Sequence, residues 1–270
     1  MVEDLHITLI QPALHWEDAE ANRAAFAERL DALSGTTDLI VLPEMFPTGF
    51  SMRPEALAES MDGPTVSWMA GQARSRNCAI TGSVIIRQKD RYYNRLIWMF
   101  PDGTFEHYDK RHLFRMGEEH AHYTAGDHRL ILTWKGWRIC PLVCYDLRFP
   151  VWSRNQPFNA REPGEAFDLL LYVANWPKVR RNAWSNLLVA RAIENQCYVA
   201  GVNRVGDDGN GVAHSGDSVA LDPKGGLMSN LPPDVEAVET VTLSAALLRE
   251  FREKFPVALD ADGLAVRTLS

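Results

Sequence analysis

The run Ala166-Phe-Asp-Leu-Leu-Leu-Tyr-Val173 constrains the fold of this chain most. An almost unbroken apolar stretch of this kind reads as a strand buried on both faces. Such a strand needs a layer over each face, and the rest of the chain offers the material. Further strands are expected at Leu5–Gln11, Asp38–Leu42, Ala79–Arg87, Tyr93–Phe100, Phe105–Tyr108, Arg129–Trp134, Arg138–Val143, Tyr198–Asn203, Ser218–Leu221 and Ala237–Leu243. Helices are expected at Ala19–Leu33, Thr65–Arg76, Ala183–Gln196 and Ala245–Lys254, the first with apolar residues mostly at helical spacing. Gly35 ends the first helix and Pro43 stops the second strand; Asn94 and Pro101-Asp-Gly103 read as turn chemistry. Strands mixed with helices throughout, with no repeat or linker, favour a single α/β domain over residues 1–270, helix layers lying outside sheet.

The charge balance narrows the possible partners. A net charge of -7 leaves no basic footprint for nucleic acid and no polybasic face for a membrane. No segment approaches the length that spans a bilayer. The first residues, Met-Val-Glu-Asp, put acids where a secretory leader carries lysine or arginine. Cys78, Cys140, Cys144 and Cys197 show neither a C-x-x-C pair nor zinc spacing, so free thiols in a reducing cytoplasm are expected.

Cys144 is the chemically telling thiol. It ends the strand Arg138–Val143 and opens a turn into a short helical segment. A nucleophile needs that placement, because backbone N–H groups then gather where an oxyanion forms. A thiol alone carries little, since most free cysteines are small apolar filler. Three other positions offer activation. Glu44 follows Asp38-Leu-Ile-Val-Leu-Pro43. A carboxylate with poor access to water holds its proton more tightly and suits a general base; a turn-capping acid is the plainer alternative. Lys110, in Tyr108-Asp-Lys-Arg-His-Leu-Phe114, supplies an ammonium for an oxyanion or thiolate, or else is a solvated surface lysine. Glu119 lies beside His120 and His122, but His-x-His points its rings to opposite faces of a strand, so no metal is expected. Glu119 instead suits orienting a lysine or a water. Each of these positions falls at the C-terminal edge of an expected strand, where open α/β sheets collect ligands.

Leu42-Pro-Glu-Met-Phe46, Asp109-Lys-Arg-His-Leu-Phe114 and Cys144-Tyr-Asp-Leu-Arg-Phe-Pro150 together resemble the nitrilase superfamily of carbon–nitrogen hydrolases, in the same order. The resemblance continues through Ala174-Asn-Trp-Pro177 and Ala190-Arg-Ala-Ile-Glu-Asn-Gln196, and the wording of the motifs is most similar to the omega-amidases. It implies a four-layer α-β-β-α sandwich, often paired into dimers through its sheets. It implies a Glu-Lys-Cys triad at Glu44, Lys110 and Cys144, with a second glutamate at Glu119, preferred to Glu118 for its distance from Gly126. The implied reaction is hydrolysis of a small dicarboxylic monoamide, of the 2-oxoglutaramate or 2-oxosuccinamate type, through a Cys144 thioester and without a cofactor. The backbone N–H of Tyr145 would join the oxyanion hole. The partners expected are an amide substrate, water and a second copy of the chain. An N-carbamoyl amino-acid amidase, a nitrilase or a non-catalytic ligand-binding protein on this fold are the alternatives.

Around this set, Trp176 either walls the substrate pocket or fills the core, and Phe50 either lines the opposite side or anchors its loop. Arg148 is read as the ion-pair partner of Asp146 in preference to a substrate-carboxylate ligand. Arg191 and Glu194 form a helical i, i+3 pair. Gly206-Asp-Asp-Gly-Asn-Gly211 reads as a hairpin or loop and not as a phosphate loop.

Overall fold

Two mixed sheets pack face to face. The computed structural model describes residues 2–156 and 164–263. In chain order the first half runs β1 (Leu5–Gln11), α1 (Ala19–Asp31), β2 (Leu39–Val41), α2 (Pro54–Leu57), α3 (Pro64–Arg76), β3 (Ala79–Gln88), β4 (Arg91–Met99), β5 (Phe105–Asp109) and α4 (Glu119–His122). The second half runs β6 (Leu132–Trp134), β7 (Trp137–Val143), β8 (Leu169–Ala174), α5 (Arg181–Asn195), β9 (Tyr198–Asn203), β10 (Val205–Asp207), β11 (Ala213–Ser215), β12 (Val219–Leu221), β13 (Ala237–Leu243) and α6 (Ala245–Lys254).

The first sheet has the order β13-β1-β2-β3-β4-β5 and the second β12-β9-β8-β7-β6. In each, three central strands run parallel (β1, β2, β3 and β7, β8, β9), and the outer strands are antiparallel. Strand alternation sorts the side chains of the first sheet. Leu5, Ile7, Leu9, Leu39, Val41, Leu96 and Trp98 face inward to a core shared with β7, β8 and β9. Ile10, Ile40, Ile80, Val84, Ile97 and Met99 face outward, where Phe26 and Leu30 of α1 and Val66, Met69 and Ala73 of α3 cover them. On the far side α5 covers the second sheet. A Cβ at Gly201 of β9 would meet Leu188 and Trp184 at 2.7 and 2.8 Å, so only glycine lets that helix approach so closely. The layer order helix–sheet–sheet–helix is therefore the sandwich that the motifs imply.

The run around Leu169–Ala174 is buried throughout, as its composition requires. The expected strands Asp38–Leu42 and Ser218–Leu221 are trimmed at their ends, and Arg129–Trp134 is shortened by half. Only Leu132–Trp134 of Arg129–Trp134 pairs with β7, because Arg129 is drawn aside to the carbonyls of Trp152, Arg154 and Gln156. Among the described residues no helix is long and apolar enough to cross a membrane.

Candidate active site

The sheet edges deliver four side chains to one place. Glu44 lies in the turn beyond β2, Lys110 directly after β5, Cys144 directly after β7 and Asn175 directly after β8. The first two come from one sheet and the last two from the other. The turn carrying Glu44 folds down onto β3: Leu42 N–H donates to Thr81 O at 2.8 Å and Phe46 N–H to Ser83 O at 3.1 Å. Gly82 permits this, since a Cβ there would lie 2.9 Å from both Leu42 Cβ and Phe46 Cδ1.

Lys110 is fully buried between two carboxylates. Its Nζ donates to Glu44 Oε1 at 2.8 Å and to Glu119 Oε1 and Oε2 at 3.0 and 2.8 Å. The plain reading of Lys110 as a solvated lysine is thereby corrected. Burial alone would make this ammonium shed its proton, but Glu119 and Glu44 overcome that and raise its pKa. Glu119, with Phe114 N–H 2.6 Å from Oε2, is buried at the start of α4, whereas Glu118 is exposed. Burial raises the pKa of Glu119 against the opposing pull of Lys110. Glu44 is fixed at both oxygens: Asn94 Nδ2 and Lys110 Nζ reach Oε1, and Asn175 N–H reaches Oε2 at 2.9 Å.

Cys144 holds φ +44°, in the left-handed region, and opens a 3-10 turn to Arg148. Such a backbone persists in a non-glycine residue only where its surroundings impose it. Asp146 does so. Its Oδ2 accepts Val143 N–H at 3.0 Å and Tyr108 O–H at 2.8 Å, and its Oδ1 accepts His112 N–H at 3.0 Å. Arg191, paired with Glu194 at 2.8 Å, braces the same turn through Leu147 O at 2.7 Å. The turn begins with N–H groups that have no partner within it, Tyr145 N–H among them. Burial, and next the charge of Glu44, push the Cys144 thiol well above its ordinary pKa; Lys110 opposes them. The thiol thus rests protonated and needs a base. The other three thiols are buried and free, with Cys78 pushed up to about 11 and Cys140 to about 12 by burial.

A cavity of about 250 Å³ opens over Cys144, Lys110 and Asn175. Phe50 and Trp176 both line it. Phe50 lies under the Lys110 ammonium at 5.1 Å, and Trp176 rests against Trp184 at 5.5 Å, so it is wall and core at once. Arg148 is not the partner of Asp146, whose carboxylate is turned inward and filled. Its guanidinium lies over the Trp176 ring at 5.0 Å and lines the cavity. Arg180 does the same over Phe114 at 5.4 Å, and neither arginine has a carboxylate partner among the described residues.

Three contributors escape a reading of the sequence. Asn94 is no turn residue but a buried member of β4, donating to both Glu44 and Glu119. Arg180 carries no motif of its own. The segment read as a hairpin or loop is the β10–β11 hairpin, and its place at the site escapes that reading: Asp208, Val212 and His214 line the cavity. His120 is exposed, and among the described residues no group of three or more acidic, histidine or cysteine side chains is placed to hold a metal ion.

Residues 6–253 match the carbon-nitrogen hydrolase family. The chain is 50% identical over 258 residues to Omega-amidase YafV of Escherichia coli K12, covering 96% of this chain and 97% of that protein. It is 31% identical to the 2-oxoglutaramate amidase of Bacillus subtilis, covering 82% and 83%. Its fold matches the crystal structure of XC1258 from Xanthomonas campestris, a CN-hydrolase superfamily protein with an arsenic adduct in its active site, with a TM-score of 0.93 and 51% identity over 98% of this chain and 99% of that one. This chain is a member of the carbon–nitrogen hydrolase family.

Proposed function

We propose that this chain is an omega-amidase that hydrolyses the terminal carboxamide of a small dicarboxylic monoamide, of the 2-oxoglutaramate or 2-oxosuccinamate type, to the dicarboxylate and ammonia. The observation that carries the reading is the polarity of one cavity. A thiol and an ammonium lie at its base, the Glu44 carboxylate is hydrogen-bonded to that ammonium behind them, and two arginines that have no carboxylate partner among the described residues lie on its walls. A substrate with a carboxamide at one end and a carboxylate at the other matches both. Guanidinium groups suit that carboxylate because they bind it in two-point fashion.

Glu44 takes the Cys144 proton, and the sulfur attacks the amide carbon. The C–O π electrons move onto oxygen, where the Lys110 ammonium and the Tyr145 N–H meet the charge. As the C–N bond breaks, protonated Glu44 gives its proton to the nitrogen and ammonia leaves. Water then loses a proton to Glu44, attacks the thioester, and the Cys144 thiolate departs and is reprotonated. Glu119 keeps the Lys110 ammonium charged and placed. The sequence similarity to amidases that act on such substrates supports this assignment.

One domain over residues 1–270, a cytoplasmic setting and a homodimer complete the proposal. Ile193 on α5 and Leu247 on α6 are exposed apolar side chains that suit a second copy. The test is twofold. Ammonia release should be fastest from 2-oxoglutaramate or 2-oxosuccinamate, against glutamine, N-carbamoyl amino acids and simple nitriles. Mass spectrometry of the quenched reaction should find the acyl group on the peptide that contains Cys144. Acylation elsewhere, or none, would overturn the mechanism, and a nitrile or carbamoyl preference would overturn the substrate.

A further inference from the structure

Asn94 sits between two carboxylates that share one ammonium. Its Nδ2 donates to Glu44 Oε1 at 2.8 Å and to Glu119 Oε1 at 3.0 Å. Its Oδ1 accepts the Ser83 hydroxyl at 2.7 Å, and Ser83 Oγ accepts Met45 N–H at 2.7 Å. Because Asn94 Nδ2 is committed to the two carboxylates, Oδ1 faces Ser83 and the chain of bonds runs from Met45 through Ser83 to Asn94. A flipped Asn94 amide would set its oxygen against the carboxylates of Glu44 and Glu119, which fixes the amide as it stands.

The consequence falls on the carboxylate of Glu44. Oε1 already receives two N–H donors, from Asn94 and from Lys110 at 2.8 Å. Oε2 receives one N–H donor, from Asn175 at 2.9 Å, and the Cys144 thiol also hydrogen-bonds this carboxylate, for which Oε2 has the free lone pair. A proton arriving at Oε1 must displace a donor; one arriving at Oε2 displaces nothing. We infer that Asn94 is a positioning residue that, by filling Oε1, makes Oε2 the proton-carrying oxygen of Glu44. The inference rests on the reading of Glu44 as the base and deepens it.

The charged and titratable groups facing Asn94 are Glu44, Glu119 and Lys110, with Cys144 and Tyr123 close to the same cluster. Asn94→Asp places a third carboxylate there. It donates nothing when ionised and one hydrogen bond when protonated, so its defect depends on pH. Asn94→Ala is expected to lower kcat about 30- to 100-fold with KM within about threefold. Asn94→Asp is expected to be worse at pH 8, and its kcat relative to wild type should recover about fivefold or more by pH 6. A residue that only packs gives a ratio that does not move with pH.

A flat ratio, or an Asn94→Ala kcat within about threefold of wild type, overturns the inference. If thermal unfolding shows that the Asn94 variants do not fold, Ser83→Ala decides, because it frees the amide and leaves Asn94 in place. Its kcat should fall about fivefold, and a wild-type kcat counts against the inference. Wild-type protein that hydrolyses no amide sinks the functional reading and this inference together. Active wild type with indifferent Asn94 and Ser83 variants sinks the inference alone.

Discussion

Two clusters of charge lie at opposite ends of the strands of the second sheet. Asp168, just before β8, is met by Arg138 Nε at 3.0 Å, by Arg138 Nη2 at 2.6 Å and by Arg252 Nη1 at 2.6 Å. The remaining guanidinium donors go to backbone oxygens of Gln196, Phe167 and Glu165. Burial would raise the Asp168 pKa, but the hydrogen bonds and charge of Arg138 win and lower it. At the other end two carboxylates and a thiol share one ammonium. There burial prevails, and the pKa values of Glu119 and Cys144 rise. The ingredients are alike; the count of cations differs. A cluster whose two arginines match its two acids, Asp168 and Glu165, locks Asp168 in one state and serves structure. A cluster short of positive charge leaves protons ready to move, beside a cavity, and serves chemistry.

Substitutions can break that distinction. Cys144→Ala should lower kcat by at least about 1000-fold while the protein unfolds at nearly the wild-type temperature. Retained turnover would move the nucleophile elsewhere. Glu44→Gln keeps the shape of the side chain and removes the base, with an expected loss of about 100- to 10,000-fold in kcat; near-normal rates would place the base at another residue. Arg148→Ala and Arg180→Ala should raise KM for the dicarboxylic monoamide about 10- to 100-fold and leave a neutral amide little changed. Equal effects on both substrates would remove the arginines from carboxylate binding. Asp168→Asn should do the reverse of all these. It should cost about 2–3 kcal/mol of stability by denaturant titration and leave kcat alone. Asp168 has a depressed folded pKa, so its contribution is present above the unfolded value of 3.8 and is lost as pH falls through the folded value. Wild type and variant should therefore converge in stability in strong acid. A kcat loss in Asp168→Asn would erase the division between the two clusters.

The α/β class was legible in local patterns. The four-layer sandwich and the set Glu44, Lys110, Glu119 and Cys144 came from the resemblance of three separated motifs to the nitrilase superfamily, since each residue alone also fits a turn cap, a surface lysine or an apolar filler. Apolar runs give the strands, and Glu44, Lys110 and Cys144 follow the ends of such runs, whereas Glu119 lies apart, at the start of α4. Asn94 was misread because asparagine favours turns by local bonding. Its role comes from the register of β4 on β3, which sets it opposite Ile85 with its amide against Ser83. Asp146 and Arg148 suggested an ion pair two residues apart. The 3-10 turn sends the acid inward to Val143, Tyr108 and His112, and leaves the arginine at the cavity. Arg180 and the β10–β11 hairpin reach the cavity only through the packing of distant segments, which no local pattern encodes.

Glu44 and Lys110 hang from one sheet, and Cys144 and Asn175 from the other. In the proposed mechanism each proton passed from sulfur to carboxylate therefore crosses the join between two sheets whose shared core is largely apolar. Turnover becomes a gauge of how those sheets are aligned. Mild urea or hydrostatic pressure that lets them slide by an ångström should silence the enzyme while circular dichroism still records every strand.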